Sequence, residues 1–92
     1  MIDFSIAVQS RLRQKGELDV LFGVSYPMTN AYLNGKSYPR GANRAHIDFT
    51  MQIIKALIDT GKLPLSPDRD AEQRAKAVLK IKDYIETKKK TT

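Results

Sequence analysis

The chain has no cysteine, a single histidine, and no apolar run approaching the roughly 20 residues that span a bilayer. Without cysteine there is no disulfide framework, no thiolate metal site and no thiol nucleophile. The lone histidine, His46, stands near the start of a helical stretch, where it reads as a cap or surface group rather than a catalyst. Asp3, Glu17 and Asp19 lack the spacing of a metal site or an acid/base pair, and no glycine-rich phosphate loop follows a strand. These absences argue against an enzyme: the expectation is no catalytic residue, no metal and no cofactor. The opening MIDFSIAVQSRLRQK carries its basic residues after its apolar ones, the reverse of a secretory signal, so a cytoplasmic location is expected.

What is present suits one small folded unit. A domain of 92 residues buries only about 60–65% of the surface its unfolded chain exposes, so a partner subunit would help its stability. The 41% hydrophobic share is enough for a packed core. Net charge is +6, and its distribution is uneven. Residues 1–44 hold six basic and three acidic groups, residues 45–67 two of each, and residues 68–92 eight and five. A basic excess at both ends favours a polyanionic partner through phosphate neutralisation and counterion release, although basic proteins without such partners are common.

Helical periodicity divides the chain into five segments. Asp3 is the expected cap of a first helix, with Phe4, Ala7, Val8 and Leu12 facing the core. Gly16 is taken as its left-handed stop, with the alternative that it lies inside a longer second helix. ELDVLF forms a short second helix burying Leu18, Leu21 and Phe22, and Gly23 ends it. Ser25 caps a third helix with Pro27 in its first turn, where a missing N–H costs nothing. Thr29, Tyr32 and Leu33 share one side of it, while Tyr26, Pro27, Asn30, Ala31 and Asn34 share the other. Gly35 stops it, and KSYPRGANR follows as an extended basic arm.

Asn43 is the expected cap of a fourth helix, whose stripe of Ile47, Met51, Ile54, Leu57 and Ile58 is the strongest in the chain. A connector with two prolines leads to a fifth helix, with Ser66 as cap and Pro67 at its first position, running to about Thr87. Its apolar positions cover more than half its circumference, which suggests a second contact surface. Val78, Ile81, Tyr84 and Ile85 are therefore expected to mediate dimerisation. The expected organisation is residues 1–64 as one domain and residues 65–92 as a C-terminal helix with a basic tail.

Two short helices joined through a glycine turn, the second followed by a basic arm, make a helix-turn-helix layout. A plain helical corner explains the turn and the buried face equally well. It does not call for exposed asparagines beside a basic arm. ELDVLFGVS followed by YLNGKSYPRG resembles the helix-turn-helix of the Cro and phage-repressor family (the lambda-type or XRE group), with GVS opening the turn and NGK following the recognition helix. The resemblance covers roughly residues 4 to 60. It implies an all-α, five-helix, lambda-repressor-like DNA-binding domain with a C-terminal amphipathic helix.

By position, the resemblance implies base reading by Tyr26, Pro27, Asn30 and Ala31. It implies DNA-backbone contacts by Asn34, Lys36 and Arg40; Ser25 is counted with them, and so is Arg44, because Lys36, Arg40 and Arg44 cluster beside the expected groove face, their other reading being solvated loop charges. Asn30 stands out because asparagine pairs bidentately with adenine, a contact of about 1–3 kcal/mol; its other reading is a solvated helix residue. Tyr26 is either a reader or a surface tyrosine packed on the arm. Three positions depart from the family pattern: Asp19 replaces a small residue at the helix crossing, Thr29 replaces a buried aliphatic, and the connection before the second helix is short. The expected function is a sequence-specific transcriptional regulator, a phage-like repressor binding double-stranded operator DNA as a homodimer. A bacterial or phage origin is implied with it. The rival readings are an excisionase-like or architectural DNA-binding accessory protein and a helical protein-interaction module.

Overall fold

The computed structural model describes residues 2–91. Its five helices are α1 (Ser5–Ser10), α2 (Leu18–Phe22), α3 (Tyr26–Leu33), α4 (Gly41–Asp59) and α5 (Ala71–Thr91). None is long and apolar enough to cross a membrane among the described residues. The all-α, five-helix class read from periodicity is thus the observed one.

Phe4, not Asp3, occupies the cap position of α1, without a side-chain cap bond; Asp3, one residue ahead, accepts the Ser5 amide at 3.0 Å and the Ser5 hydroxyl at 2.6 Å. The helix stops earlier than expected. Arg11, not Gly16, takes the left-handed conformation at its end, with φ 59°. The cause is Ser10, whose buried hydroxyl donates to the Ala7 carbonyl and accepts the Leu12 amide. That local bonding competes with the helical pattern and turns the chain, so Leu12 enters the core from outside the helix. Val8, expected on the buried stripe, is exposed in consequence.

Gly16 instead lies in the turn before α2, where its φ of 90° suits glycine. The acidic side chains that follow fold back onto this turn: Asp19 accepts the Gly16 amide at 2.8 Å, and Glu17 accepts the Gln14 amide at 3.0 Å. Asp19 therefore has a local task at the edge of α2, which explains a carboxylate where a small residue was expected.

The long helix α4 begins two residues ahead of Asn43, which consequently lies inside the first turn rather than capping it. Arg40 occupies the cap position in extended conformation without a side-chain cap bond. Ile47, Met51 and Ile54 of the expected stripe are buried along α4, with Ile53 beside them, while Leu57 and Ile58 are half-buried.

The start of α5 is also later than the Ser66–Pro67 signal suggests. Ser66 bonds the Asp68 carboxylate, and the Arg69 amide returns to the Ser66 carbonyl at 3.2 Å, closing a separate turn. Asp70 and Gln73 then form the reciprocal cap: Asp70 accepts the Gln73 amide at 2.8 Å while Gln73 accepts the Asp70 amide at 3.1 Å.

One core unites the chain. Leu12, Leu18, Leu21, Phe22, Ile47 and Ile54 meet Val78, Ile81 and Ile85 from α5 in a single apolar cluster. Helix α5 thus shares the core of the helices before it. Val78 and Ile85 are each 2% exposed and Ile81 8%, so these three cannot form the expected dimer contact; only Tyr84 of that set is exposed. Val78, Ile81 and Ile85 close the monomer's own core, while Leu79 and Tyr84, 61% and 47% exposed, leave the other part of the apolar arc of α5 open.

A buried ion pair fastens α5 to the connection between α1 and α2. Arg74 Nε donates to Glu17 Oε2 and its Nη2 to Glu17 Oε1, both at 2.9 Å, while Nη2 also donates to the Arg11 carbonyl at 3.0 Å. The hydrogen bonds from Glu17 hold the Arg74 guanidinium above its ordinary pKa, against the opposing effect of burial. The guanidinium thus stays charged throughout the neutral range.

Candidate nucleic-acid interface

The turn between α2 and α3 depends on Gly23, left-handed at φ 72°, whose amide and that of Val24 both return to the Asp19 carbonyl. Ser25 then extends the chain at ψ 158°, and its hydroxyl oxygen accepts the Met28 amide at 3.2 Å. Such a cap contributes about 1 kcal/mol to the helix. Ser25, read as a backbone contact, has its side chain engaged in starting α3.

The inner face of α3 carries Thr29 and Tyr32, both buried. Thr29 in an aliphatic's place is no burden, because its hydroxyl donates to the Ser25 carbonyl at 3.0 Å. On the outer face, Tyr26, Asn30 and Ala31 are half-buried, and Pro27 and Asn34 are exposed. Met28, 40% exposed, adds an apolar group that the sequence reading missed. It falls between the two faces defined by spacing, and only the direction of the neighbouring chain shows that it is open.

Beyond α3, Gly35 turns at φ 73° and the amides of residues 34–37 all return to the carbonyls of Asn30, Ala31 and Tyr32. These N–H groups are committed to the helix end. Any grip on phosphate in this region falls to side chains.

The arm is better anchored than an extended loop. Pro39 is buried, and the Tyr38 hydroxyl accepts the Ile2 amide at 2.7 Å. Phe4 holds the cluster together. Its ring stacks on Tyr32 at 5.9 Å, meets Tyr38 edge-on at 6.3 Å and meets Phe22 edge-on at 6.2 Å. Aromatic pairs of this kind add about 0.5–1.5 kcal/mol beyond the area they bury. The signal in the sequence was Tyr38 next to a proline, an aromatic anchor hidden among basic residues.

With Tyr38 and Pro39 pinned, the exposed Lys36 and Arg40 flank a fixed point. Both line a depression that also includes Met28 and Leu33 of α3 and Asn43 of α4. Arg44, exposed one turn into α4, lies with its guanidinium 5.8 Å from the centre of the Tyr38 ring. The structure therefore brings Lys36 and Arg40 together beside α3 and steadies Arg44 on the arm's aromatic anchor. Tyr26, Pro27, Asn30, Ala31 and Asn34 lie outside that depression, on the outer face of the helix.

His46 has a structural place. Its Nε2 lies 2.8 Å from the Leu21 carbonyl, and its Nδ1 meets the Lys89 ammonium. Because an ammonium can only donate, Nδ1 is the acceptor and Nε2–H donates to Leu21. The ring joins α4, α2 and α5, and its bond to Leu21 caps a last-turn carbonyl of α2 rather than the start of its own helix. Among the described residues, no group of three or more histidine or acidic side chains is placed to hold a metal ion.

No family model, curated protein or solved structure matches the chain. What can be said of its function accordingly rests on its own residues: a short helix started by Ser25, an outer face holding both an amide side chain and apolar groups, and three cations stationed around an anchored arm. Chemically, that arrangement suits a surface that presents hydrogen-bonding and apolar groups to base edges while cations meet phosphates.

Proposed function

We propose that the chain is a sequence-specific double-stranded DNA-binding protein, a helix-turn-helix transcriptional regulator of the repressor type that acts by occupying an operator. The observation that carries the reading is the pairing of an outward face on α3 with exposed Lys36, Arg40 and Arg44 around the Tyr38–Pro39 anchor. An α-helix fits the major groove, about 12 Å wide, and cations held at its edge fix its register on the backbone.

In this mechanism α2 braces α3 across the Gly23 turn, and Asn30 reads an adenine through paired hydrogen bonds to N6 and N7. Pro27, Ala31 and Met28 supply apolar contact, for example to a thymine methyl, and Tyr26 adds a hydroxyl at the helix start. Two copies on a palindromic site complete the reading, meeting through surfaces other than Val78, Ile81 and Ile85.

The decisive experiment is selection of binding sites from random duplex DNA, followed by affinity measurements at several salt concentrations. A palindromic site is expected to be enriched. Log affinity should fall linearly with log salt, and Lys36→Ala should flatten the slope by about one. Asn30→Ala should lose about 5- to 150-fold preference at one base position, the equivalent of about 1–3 kcal/mol. Absence of enrichment together with salt-independent binding would refute the proposal.

A further inference from the structure

On another side of the molecule, the second half of α4 and the first half of α5 diverge to leave an open groove of about 590 Å³. Its floor is apolar, formed by Ile53, Leu57, Leu65 and Ala77, with Tyr84 exposed at one end. Lys62, Arg69, Lys76 and Lys80 stand around it, all exposed, and no carboxylate lines it. None of its lining residues belongs to α3 or to the basic arm.

We propose that this groove is a docking site for an acidic amphipathic helix of a partner protein. The shape and the charge point the same way. A trough between two helices accepts the apolar face of a third, read as side chains at i, i+3, i+4 and i+7. The cationic edges then meet acidic residues flanking that face. Lys76 and Lys80 are one turn apart on α5, so a single partner helix can place a carboxylate opposite each. Lys76 is paired with Glu72 at 3.5 Å, but both side chains are at least 70% exposed. Such a pair is worth little in water and exchanges readily for a partner's carboxylate.

The same charges disfavour the simplest alternative. Two copies meeting groove to groove would set four cations against four on a chain already at +6. A nucleic acid would satisfy the cations but would leave the apolar floor without a counterpart. Only an occupant both apolar on one side and acidic at its edges matches floor and rim together. The proposal does not depend on the DNA-binding reading.

The test uses the full chain and a fluorescein-labelled synthetic helix of leucines at i, i+3, i+7 and i+10 with glutamates between them. Its control is the same composition scrambled so that the leucines share no face. The designed helix should bind saturably, one per chain, and should shift backbone amide resonances in the second half of α4, the connector and the first half of α5. The scrambled peptide, of equal charge, should bind at least about tenfold more weakly. The double variant Lys76→Glu/Lys80→Glu, altered only at exposed positions, should weaken the designed helix by about tenfold or more with an unchanged circular dichroism spectrum. Lys36→Ala should leave its binding unchanged. Equal binding of the two peptides, or shifts centred on α3 and the arm, would overturn the proposal. So would concentration-dependent self-association, in sedimentation experiments, that is abolished by the same double variant, because the occupant would then be a second copy.

Discussion

Replacing Arg74 by methionine should cost this protein a large part of its stability. The guanidinium makes its three hydrogen bonds where the side chains of Arg74 and Glu17 are only 16% and 6% exposed. Removing it leaves the buried Glu17 carboxylate without its counter-charge, with the Gln14 amide as its remaining donor, and takes a donor from the Arg11 carbonyl. Breaking a buried pair from one side costs about 3–5 kcal/mol. A domain of 92 residues has a total stability of roughly 5–14 kcal/mol, so the variant should lose a substantial share of it. Its melting temperature should fall by at least about 12 °C. Urea unfolding followed by far-ultraviolet circular dichroism measures this directly, provided the denaturant slope is unchanged. Glu17→Met should cost a comparable amount, whereas the Glu17→Met/Arg74→Met double variant should recover most of the loss, because no buried charge is then left unpaired. Hydrogen bonding to Glu17 raises the pKa of the guanidinium against the opposing effect of burial, and neutral pH lies far below its titration range, so the loss should be constant across neutral pH. If the single losses are below about 1 kcal/mol, or add to within about 0.5 kcal/mol in the double variant, the clasp is not a coupled buried pair and the reasoning fails.

Two smaller predictions follow from single side chains. Thr50 is fully buried on α4 and its hydroxyl has no hydrogen-bond partner among the described residues, so the isosteric Thr50→Val should raise stability by about 1–2 kcal/mol; a decrease in the same urea assay would count against an unsatisfied hydroxyl there. The Asp3 carboxylate is held below its ordinary pKa first by the Ser5 hydroxyl and then by the Ser5 amide. A depressed folded-state value stabilises above the unfolded pKa and is lost as pH falls through the folded one. Carbon-detected NMR titration should therefore find its midpoint low, and Ser5→Ala should move it upward; an unmoved midpoint would remove the hydroxyl as the cause.

Apolar spacing locates all five helices because each must bury one stripe, and that demand is written locally in Leu18, Leu21 and Phe22 or in Ile47, Met51 and Ile54. Helix ends are harder to read. They are decided by competition between neighbouring polar groups, as when Ser10 turns the chain before Gly16 can, or when Asp70 and Gln73 prevail over Ser66 in starting α5. The outer face of α3 is legible as a face, since period and capping fix which positions leave the core. Met28 is not, because it lies on the boundary between faces. The arm's rigidity is illegible for a different reason: Tyr38 reaches Phe4 and Ile2 across 34 and 36 residues, and no local pattern announces such a contact. The assignment of Val78, Ile81 and Ile85 to a dimer contact had the right chemistry and the wrong recipient. Width of an apolar arc reports how much a helix must cover, not whether the cover belongs to its own chain.

The bond from the Ile2 amide to the Tyr38 hydroxyl also has a practical side. Ile2 lines the same depression as Lys36 and Arg40, so a fusion at the amino terminus is attached close to the arm. A purification tag placed there would crowd the candidate groove-facing surface and, if rich in histidine or lysine, would add its own attraction for phosphate. Affinity measurements are therefore best made on protein tagged at the opposite terminus, beyond α5, or on protein from which an amino-terminal tag has been cut away.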